Sequence, residues 1–183
     1  MRKICVFFTA LLLTAALAVT AFAATGVTKQ ENHATVSADG GCQVSMNVTL
    51  RLEQATDKLY FPIPAEATGV TLNGSRVSAP RSGGVRRVNI SKVTKNVVGE
   101  TTFNIHYSLY DVIHTNEAGV LEMRLPLLSG FAYPVENLTF SVTLPGQTGN
   151  LPGFQSGYHQ ARIEEHLAYT VEGAVISGSS LQA

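Results

Sequence analysis

The sequence predicts an all-β protein: an antiparallel β-sandwich of two sheets, preceded by a signal peptide. Three observations lead to this prediction. Residues 42–53 alternate strictly between apolar and polar, turn residues recur at short intervals after them, and no stretch keeps a helical apolar period. The chain has 183 residues and 45% hydrophobic content, enough for one globular domain and too much for a disordered chain. The 13 basic and 13 acidic residues cancel, so we expect no nucleic-acid partner.

The first 23 residues have the pattern of an export signal. Arg2 and Lys3 precede an uncharged apolar run that ends in Ala21-Phe22-Ala23, the small-x-small pattern that signal peptidase cuts. We expect cleavage after Ala23, which leaves a single domain over residues 24–183. An uncleaved membrane anchor is the alternative, because about 20 apolar residues can just span a bilayer. The predicted location is therefore secreted or on the extracytoplasmic face of a bacterial membrane.

The clearest strand covers residues 42–53, where every second side chain is apolar, so one face is buried. Cys42 begins that face and predicts a buried, unreactive thiol. Residues 27–36 are the expected hairpin partner, across the turn Asp39-Gly40-Gly41. Residues 59–64 alternate too, and their two prolines place them at a sheet edge, because proline donates no ladder hydrogen bond.

Further strands follow with Gly, Pro and Asn between them, which gives eight to ten strands in all. The strongest short hairpin signal is Asn73-Gly74, between residues 70–72 and 75–78. The other predicted strands are residues 85–90, 103–109, 121–125, 138–144, 169–171 and 174–176. The best helix candidate, residues 160–167, has two turns at most.

No motif in the chain predicts catalysis. The five histidines, which have no metal-ligand spacing, are His33, His106, His114, His159 and His166. The chain has no Gly-x-Ser-x-Gly nucleophile elbow, and Ser156-Gly157-Tyr158-His159 is typical of a loop. We therefore expect no catalytic residue, no cofactor and no metal. A secreted hydrolase with a dispersed site is kept as an alternative, because triads assemble across space.

Positive charge is concentrated in one segment, residues 76–95, and no acid lies between Glu66 and Glu100. Its six cations are Arg76, Arg81, Arg86, Arg87, Lys92 and Lys95. One interpretation is a contact surface for anionic lipid headgroups or an acidic wall polymer. The other is a solvated hairpin whose cations pair with acids elsewhere, which the near-zero net charge favours.

Four stretches in the C-terminal part carry a resemblance. They are Leu125-Pro126-Leu127-Leu128-Ser129-Gly130-Phe131, Tyr133-Pro134-Val135-Glu136-Asn137-Leu138-Thr139, Val142-Thr143-Leu144-Pro145-Gly146 and Phe154-Gln155-Ser156-Gly157-Tyr158-His159. They resemble the amino-terminal ectodomain of a family of predicted bacterial membrane proteins of unknown function, most clearly over residues 119–178. The resemblance implies an immunoglobulin-like sandwich ahead of transmembrane helices, with no catalytic residues. Since no membrane span follows residue 178, we expect a piece of a longer membrane protein, attached through its missing C-terminal region, or a secreted form.

Together these features predict a non-enzymatic, extracytoplasmic module, structural or interacting, of a bacterial envelope protein. Its partner would be an unidentified protein or a cell-wall component, contacted through the loop of residues 146–157 and the basic segment 76–95. A carbohydrate- or wall-polymer-binding module is an alternative. It needs exposed planar aromatic rings, for which Tyr110, Tyr133 and Tyr158 are the candidates.

Overall fold

The computed structural model describes residues 25–115, 117, 119, 121–130, 132–145, 167–172 and 175–180. These residues form thirteen strands and one short helix. The strands are β1 (Gly26–Val36), β2 (Cys42–Leu52), β3 (Tyr60–Pro64), β4 (Thr68–Leu72), β5 (Ser75–Arg76), β6 (Arg81–Ser82), β7 (Val85–Asn89), β8 (Gly99–Leu109), β9 (Ile113–Thr115), β10 (Leu121–Met123), β11 (Leu138–Thr143), β12 (Leu167–Glu172) and β13 (Val175–Ser180), and the helix is α1 (Ser91–Thr94). The predicted signal peptide, the loop of residues 146–157 and the helix candidate up to residue 166 lie outside the described residues.

The large sheet contains eight strands in the order β12-β13-β11-β1-β2-β8-β4-β5. The β1–β2 hairpin is antiparallel, which confirms the predicted pairing, and β2 pairs antiparallel with β8 on its other side. One pair departs from the antiparallel pattern, because β11 runs parallel to β1. Residues 124–130 and 132–137 precede β11 in the chain, and a crossover connection of this kind lets a late strand lie parallel to an early one.

The inner face of the large sheet is apolar because alternate residues of its strands point the same way. The buried side chains of β2 and β8 are Cys42, Val44, Met46, Val48, Leu50, Leu52, Phe103, Ile105, Tyr107 and Leu109. On the other face, Ser45 is half-buried and His106 is exposed, as the alternation predicts. Phe140, Val142 and Leu144 extend the core toward the β11 side.

The second layer is built around a small sheet with the strand order β3-β7-β6. Strand β3 lies at its edge, which confirms the position predicted from the prolines. Phe61 on β3 and Phe103 on β8 meet edge to face, with ring centroids 5.6 Å apart. This contact joins the small sheet to the large one across a shared core.

The Asn73-Gly74 hairpin forms as predicted between β4 and β5. Both residues have positive φ, 48° and 76°, which is the type I′ geometry that suits the twist of paired strands. Asn73 also fastens the turn to β8, because its N–H donates to Asn104 O and its Oδ1 accepts from Asn104 N–H, both at 2.8 Å.

Helix α1 was not predicted, because four residues are too few to show a helical apolar period. It is fixed by the buried Thr94, whose Oγ1 donates to Ile90 O at 3.3 Å and to Thr56 O at 3.4 Å. Within the part of the chain that the structure describes, no helix has the length and apolar character needed to cross a bilayer.

Candidate binding site at the junction of the two layers

The small sheet leaves part of the large sheet to be covered by a segment without regular strands. We call residues 124–130 and 132–137 the cover segment. Its residues 124–130 alternate between exposed and half-buried, and Leu125, Leu127 and Val135 pack against the core. The cover segment therefore completes the second layer over β1, next to the edge strand β3.

Two buried amides on β1 hold the cover segment in place. Gln30 and Asn32 are polar, but both lie on the inner face of the large sheet, where they are only 2% and 3% exposed. Asn32 Nδ2 donates to Leu127 O at 2.7 Å, and Gln30 Nε2 donates to Leu127 O at 3.2 Å and to Asn32 Oδ1 at 3.1 Å. Gln30 Nε2 lies beside two acceptors, and this identifies which end of the Gln30 amide is the nitrogen and which is the oxygen.

The far end of the cover segment is bound by backbone and ionic contacts. Val27 N–H donates to Pro134 O at 2.9 Å, and Glu136 N–H donates to Val27 O at 2.8 Å. The Glu136 carboxylate also pairs with Arg51 at 3.1 Å, and Arg51 reaches Glu100 at 3.4 Å. The segment is therefore anchored at Leu127 and at residues 134–136, with residues 128–130 and 132–133 between the anchors.

A hollow of about 280 Å³ opens between β3 and the cover segment, and we call it the junction cavity. It is lined by Gln30, Met46, Phe61, Pro62, Leu128, Ser129, Gly130, Tyr133 and Val135. Most of these side chains are apolar, and Leu128 is 47% exposed. The Gln30 side chain, which donates to Leu127 O and to Asn32 Oδ1, also borders the junction cavity.

A second hollow of about 330 Å³, the end cavity, shares Tyr133 with the junction cavity. It is lined by Thr25, Leu52, Glu53, Gln54, Ala55, Thr56, Lys58, Leu59 and Tyr133. This lining supplies a carboxylate, an ammonium, an amide and hydroxyls, so it both donates and accepts hydrogen bonds. Tyr133, 38% exposed, is the residue that the two cavities have in common.

The backbone of β3 beside the cavities has few groups to offer a pairing strand. Leu59 O accepts from Ile90 N–H at 3.0 Å, so residues 59, 61 and 63 direct their backbone polar groups at β7. Residues 60, 62 and 64 direct theirs away from it. Pro62 and Pro64 carry no N–H, and Pro64 O already accepts from Ala67 N–H. Prolines at these positions protect the edge of the sheet.

Two of the six cations of the basic segment have partners elsewhere in the fold. Arg81 pairs with Glu66 at 3.2 Å. Arg86 is half-buried, and its guanidinium donates to Ala65 O and Ala79 O, each at 3.0 Å. The remaining four are exposed: Arg76 on β5, Arg87 on β7, and Lys92 and Lys95 at α1. Contact of the basic segment with an anionic surface stays a prediction.

The other predicted candidates are scattered. His33 Nδ1 lies 2.8 Å from Ser141 Oγ on the outer face of the large sheet, His106 is exposed there, and His114 is on β9. Tyr110 is 67% exposed at the end of β8, away from both cavities. His159, His166 and Tyr158 lie outside the described residues. Among the described residues, no three His, Cys, Asp or Glu side chains form a metal-binding group.

Cys42 is buried, as its place on the apolar face predicts. Burial raises the pKa of the Cys42 thiol to about 11. Burial also raises the pKa of the nearby Tyr107 hydroxyl, and the charge of Cys42 adds to that effect. A thiol of this kind stays protonated near neutral pH and is a poor nucleophile.

A family model covers most of the chain. Residues 26–179 match the model of the N-terminal domain of a predicted membrane protein family, DUF2207, and the chain belongs to this family. The match extends well beyond the stretches from which the sequence resemblance was drawn. A comparison with curated proteins gives no match.

Solved structures with a similar backbone fold include parts of larger peptidases. An M1 zinc metallopeptidase from Deinococcus radiodurans is 13% identical with a TM-score of 0.47, over 85% of this chain and 38% of the peptidase. A two-domain M1 zinc metallopeptidase is 13% identical with a TM-score of 0.48, over 87% of this chain and 39% of that protein. Yeast LTA4 hydrolase is 14% identical with a TM-score of 0.50, over 85% of this chain and 26% of the hydrolase. At this identity the likeness concerns the β fold alone.

Proposed function

We propose that the domain is a non-enzymatic interaction module, presented on the extracytoplasmic side of an envelope membrane protein. The observation that carries this proposal is the pair of adjoining cavities that share Tyr133, between edge strand β3 and the cover segment. A half-exposed aromatic ring between two hollows is typical of surfaces that bind, because the ring supplies apolar area at low entropic cost.

The way the cavities are built supports a binding role. Gln30, Asn32 and the contacts of residues 134–136 hold the cover segment at two points, so both ends of the stretch that lines the cavities are held before any partner arrives. A preformed site loses less conformational entropy on binding than a loop that must first be ordered. The family of predicted membrane proteins supports an envelope setting, and the export-signal pattern supports the extracytoplasmic side.

Binding to the cell envelope tests the interaction. Wall and membrane fractions of the encoding bacterium are mixed with the exported chain and sedimented. We expect the chain to sediment with one fraction, and Tyr133→Ala to reduce the bound amount. Tyr110→Ala is the matched control, because Tyr110 is also an exposed tyrosine and lines neither cavity. Sedimentation with neither fraction would refute the proposal.

Location is tested separately. An alkaline phosphatase that is active only after export is fused to the C-terminal end of the chain. We expect phosphatase activity from the full chain and none after deletion of residues 1–23. Activity that survives the deletion would contradict the assigned side of the membrane.

A further inference from the structure

We propose that one end of the domain lies against the anionic surface of a phospholipid bilayer, where Lys92 and Lys95 contact the lipid headgroups. At this end β2 ends and β8 begins, with Leu52 paired to Gly99. We call it the base, and it carries the connections of residues 53–59 and 90–98. The inference adds an orientation to the proposed function, on which it rests, and does not depend on the two cavities.

The described chain enters and leaves the large sheet at the base. Strand β1 begins there, because Gly26 pairs with Arg51 near the end of β2. Strand β11 is parallel to β1 and β13 is antiparallel to β11, so β13 runs toward the end at which β1 begins. An uncleaved signal before β1 and a membrane segment after β13, the two attachments considered from the sequence, would both join the domain at the base. The match to a family of predicted membrane proteins supports such an attachment.

The base presents lysines that are not used inside the fold. Lys92 and Lys95 are exposed on the connection after β7, which contains α1 and has no acid. Lys58 is exposed on the connection after β2, and the two connections are joined where Thr94 Oγ1 donates to Thr56 O at 3.4 Å. Among the residues with described positions, none forms an ion pair with these three lysines. Their ammonium groups are therefore available to external anions.

This positive charge is local to the connection after β7. Glu53 and Asp57, which are exposed acids, belong to the connection after β2. Glu100 and Glu136 both pair with Arg51. The base as a whole is thus close to neutral, whereas residues 90–98 carry two cations and no acid. Because salt screens exposed charges beyond about 8 Å at physiological ionic strength, the local charge decides what this connection attracts.

An exposed apolar side chain accompanies the two lysines. Val98 is 69% exposed, more than any other large apolar residue in the described part of the chain. At a bilayer surface, ammonium groups are attracted by anionic headgroups, and a neighbouring aliphatic side chain is buried at the boundary of the acyl chains. An acidic wall polymer offers the charge without the apolar layer. The combination of Lys92, Lys95 and Val98 therefore favours a lipid surface.

The test is sedimentation of the exported chain with phospholipid vesicles at low salt. One set of vesicles contains equal parts of phosphatidylglycerol and phosphatidylcholine. The other contains phosphatidylcholine alone and measures binding that does not depend on lipid charge. We expect partition into the anionic vesicles to be at least about tenfold stronger, because each lysine near such a surface contributes a factor of about five. The preference should fall as salt is added.

Two double variants locate the contact. Lys92→Gln with Lys95→Gln should lower partition into the anionic vesicles by about tenfold or more, and Val98→Ser alone by about twofold to fivefold. Arg76→Gln with Arg81→Gln is the matched control, because it also removes two exposed cations of the basic segment. Arg76 lies on β5 and Arg81 on β6, beside the start of β7, whereas the base follows the end of β7. We expect the control to change partition by less than about threefold.

The outcomes separate this inference from the proposed function. Binding to anionic vesicles that is lost in the lysine variant and kept in the arginine variant supports the inference. Equal losses in the two double variants overturn it, because binding then reflects total charge and not the base. Equal partition into anionic and neutral vesicles also overturns it, and if the chain still sediments with envelope fractions through Tyr133, the proposed function stands. Sedimentation with the wall fraction but not with vesicles, lost in the lysine variant, overturns the lipid surface because the anion is then a wall polymer.

Discussion

Gln30 and Asn32 are the two residues whose side chains tie the second layer to β1. They lie at inward positions of β1, where an uninterrupted apolar strand would carry Val or Ile, and they are buried. Their amides satisfy Leu127 O, a carbonyl of a segment that has no strand partner of its own at that point. A buried carbonyl without a donor is costly, so these polar residues stabilise the packing that they interrupt.

Replacing Asn32 with Ala should lower the free energy of unfolding by about 1–3 kcal/mol, because Leu127 O loses its shortest hydrogen bond and Gln30 Nε2 loses one acceptor. Urea denaturation measures the change. Thr35→Ala is the control, since Thr35 is exposed on the other face of the same strand and should shift stability by less than about 0.5 kcal/mol. Equal effects of the two substitutions would contradict the assigned role of Asn32.

Two adjacent arginines should behave differently. Arg86→Ser removes two hydrogen bonds from a half-buried guanidinium to Ala65 O and Ala79 O, and we expect a loss of about 1.5–3 kcal/mol. Arg87→Ser changes an exposed side chain and should be nearly neutral. Thermal unfolding of the two variants measures the difference, and a loss that is larger for Arg87 would argue against this placement of the guanidinium.

The buried thiol gives stability a dependence on alkaline pH. The pKa of Cys42 is about 11 in the folded protein, against 9.0 for an unperturbed thiol. Between these values the unfolded chain releases the thiol proton and the folded chain keeps it, so stability falls as pH rises from 9 to 11 and is unaffected by this group below pH 9. We expect the fall in unfolding free energy between pH 8.5 and 9.5 to be smaller in Cys42→Ala. An identical fall in both proteins would contradict this assignment.

At the scale of elements, the sequence pattern predicts where strands occur better than it predicts which strands pair with each other. The strands at residues 42–53 and 103–109 could be predicted from the sequence, because burial of one face imposes an apolar period of two residues. The pattern of β1 is weaker, and its buried Gln30 and Asn32 account for this. The parallel β1–β11 pair and the cavities could not be predicted, since both depend on where the cover segment crosses the sheet.

The hairpin between β4 and β5 shows how a single turn residue supports an element. Gly74 has φ of 76°, which costs an L-amino acid with a Cβ roughly 1–2 kcal/mol. Gly74→Ala should therefore destabilise the protein by about 1 kcal/mol, although a Cβ there meets no atom within 4 Å. Gly74→Asn should cost less, because Asn tolerates positive φ. Denaturation curves compare the three proteins, and an Ala variant as stable as the parent would contradict the type I′ geometry.

At the scale of the whole molecule, the proposed binding site exists only if the two layers face each other. The large sheet supplies Gln30 and Met46, the small sheet supplies Phe61 and Pro62, and the cover segment supplies Tyr133. No one of these elements forms the junction cavity alone. The junction cavity therefore depends on the packing of the small sheet and the cover segment onto the large sheet.

A double-mutant cycle on Phe61 and Phe103 tests this packing most directly. The two rings lie on different sheets, with centroids 5.6 Å apart at an interplanar angle of 75°. Unfolding free energies are measured for Phe61→Leu, Phe103→Leu, the double variant and the parent, in which leucine keeps each position apolar. We predict a coupling energy of about 0.5–1.5 kcal/mol between the two positions. Simple additivity of the two substitutions would contradict the face-to-face arrangement of the sheets.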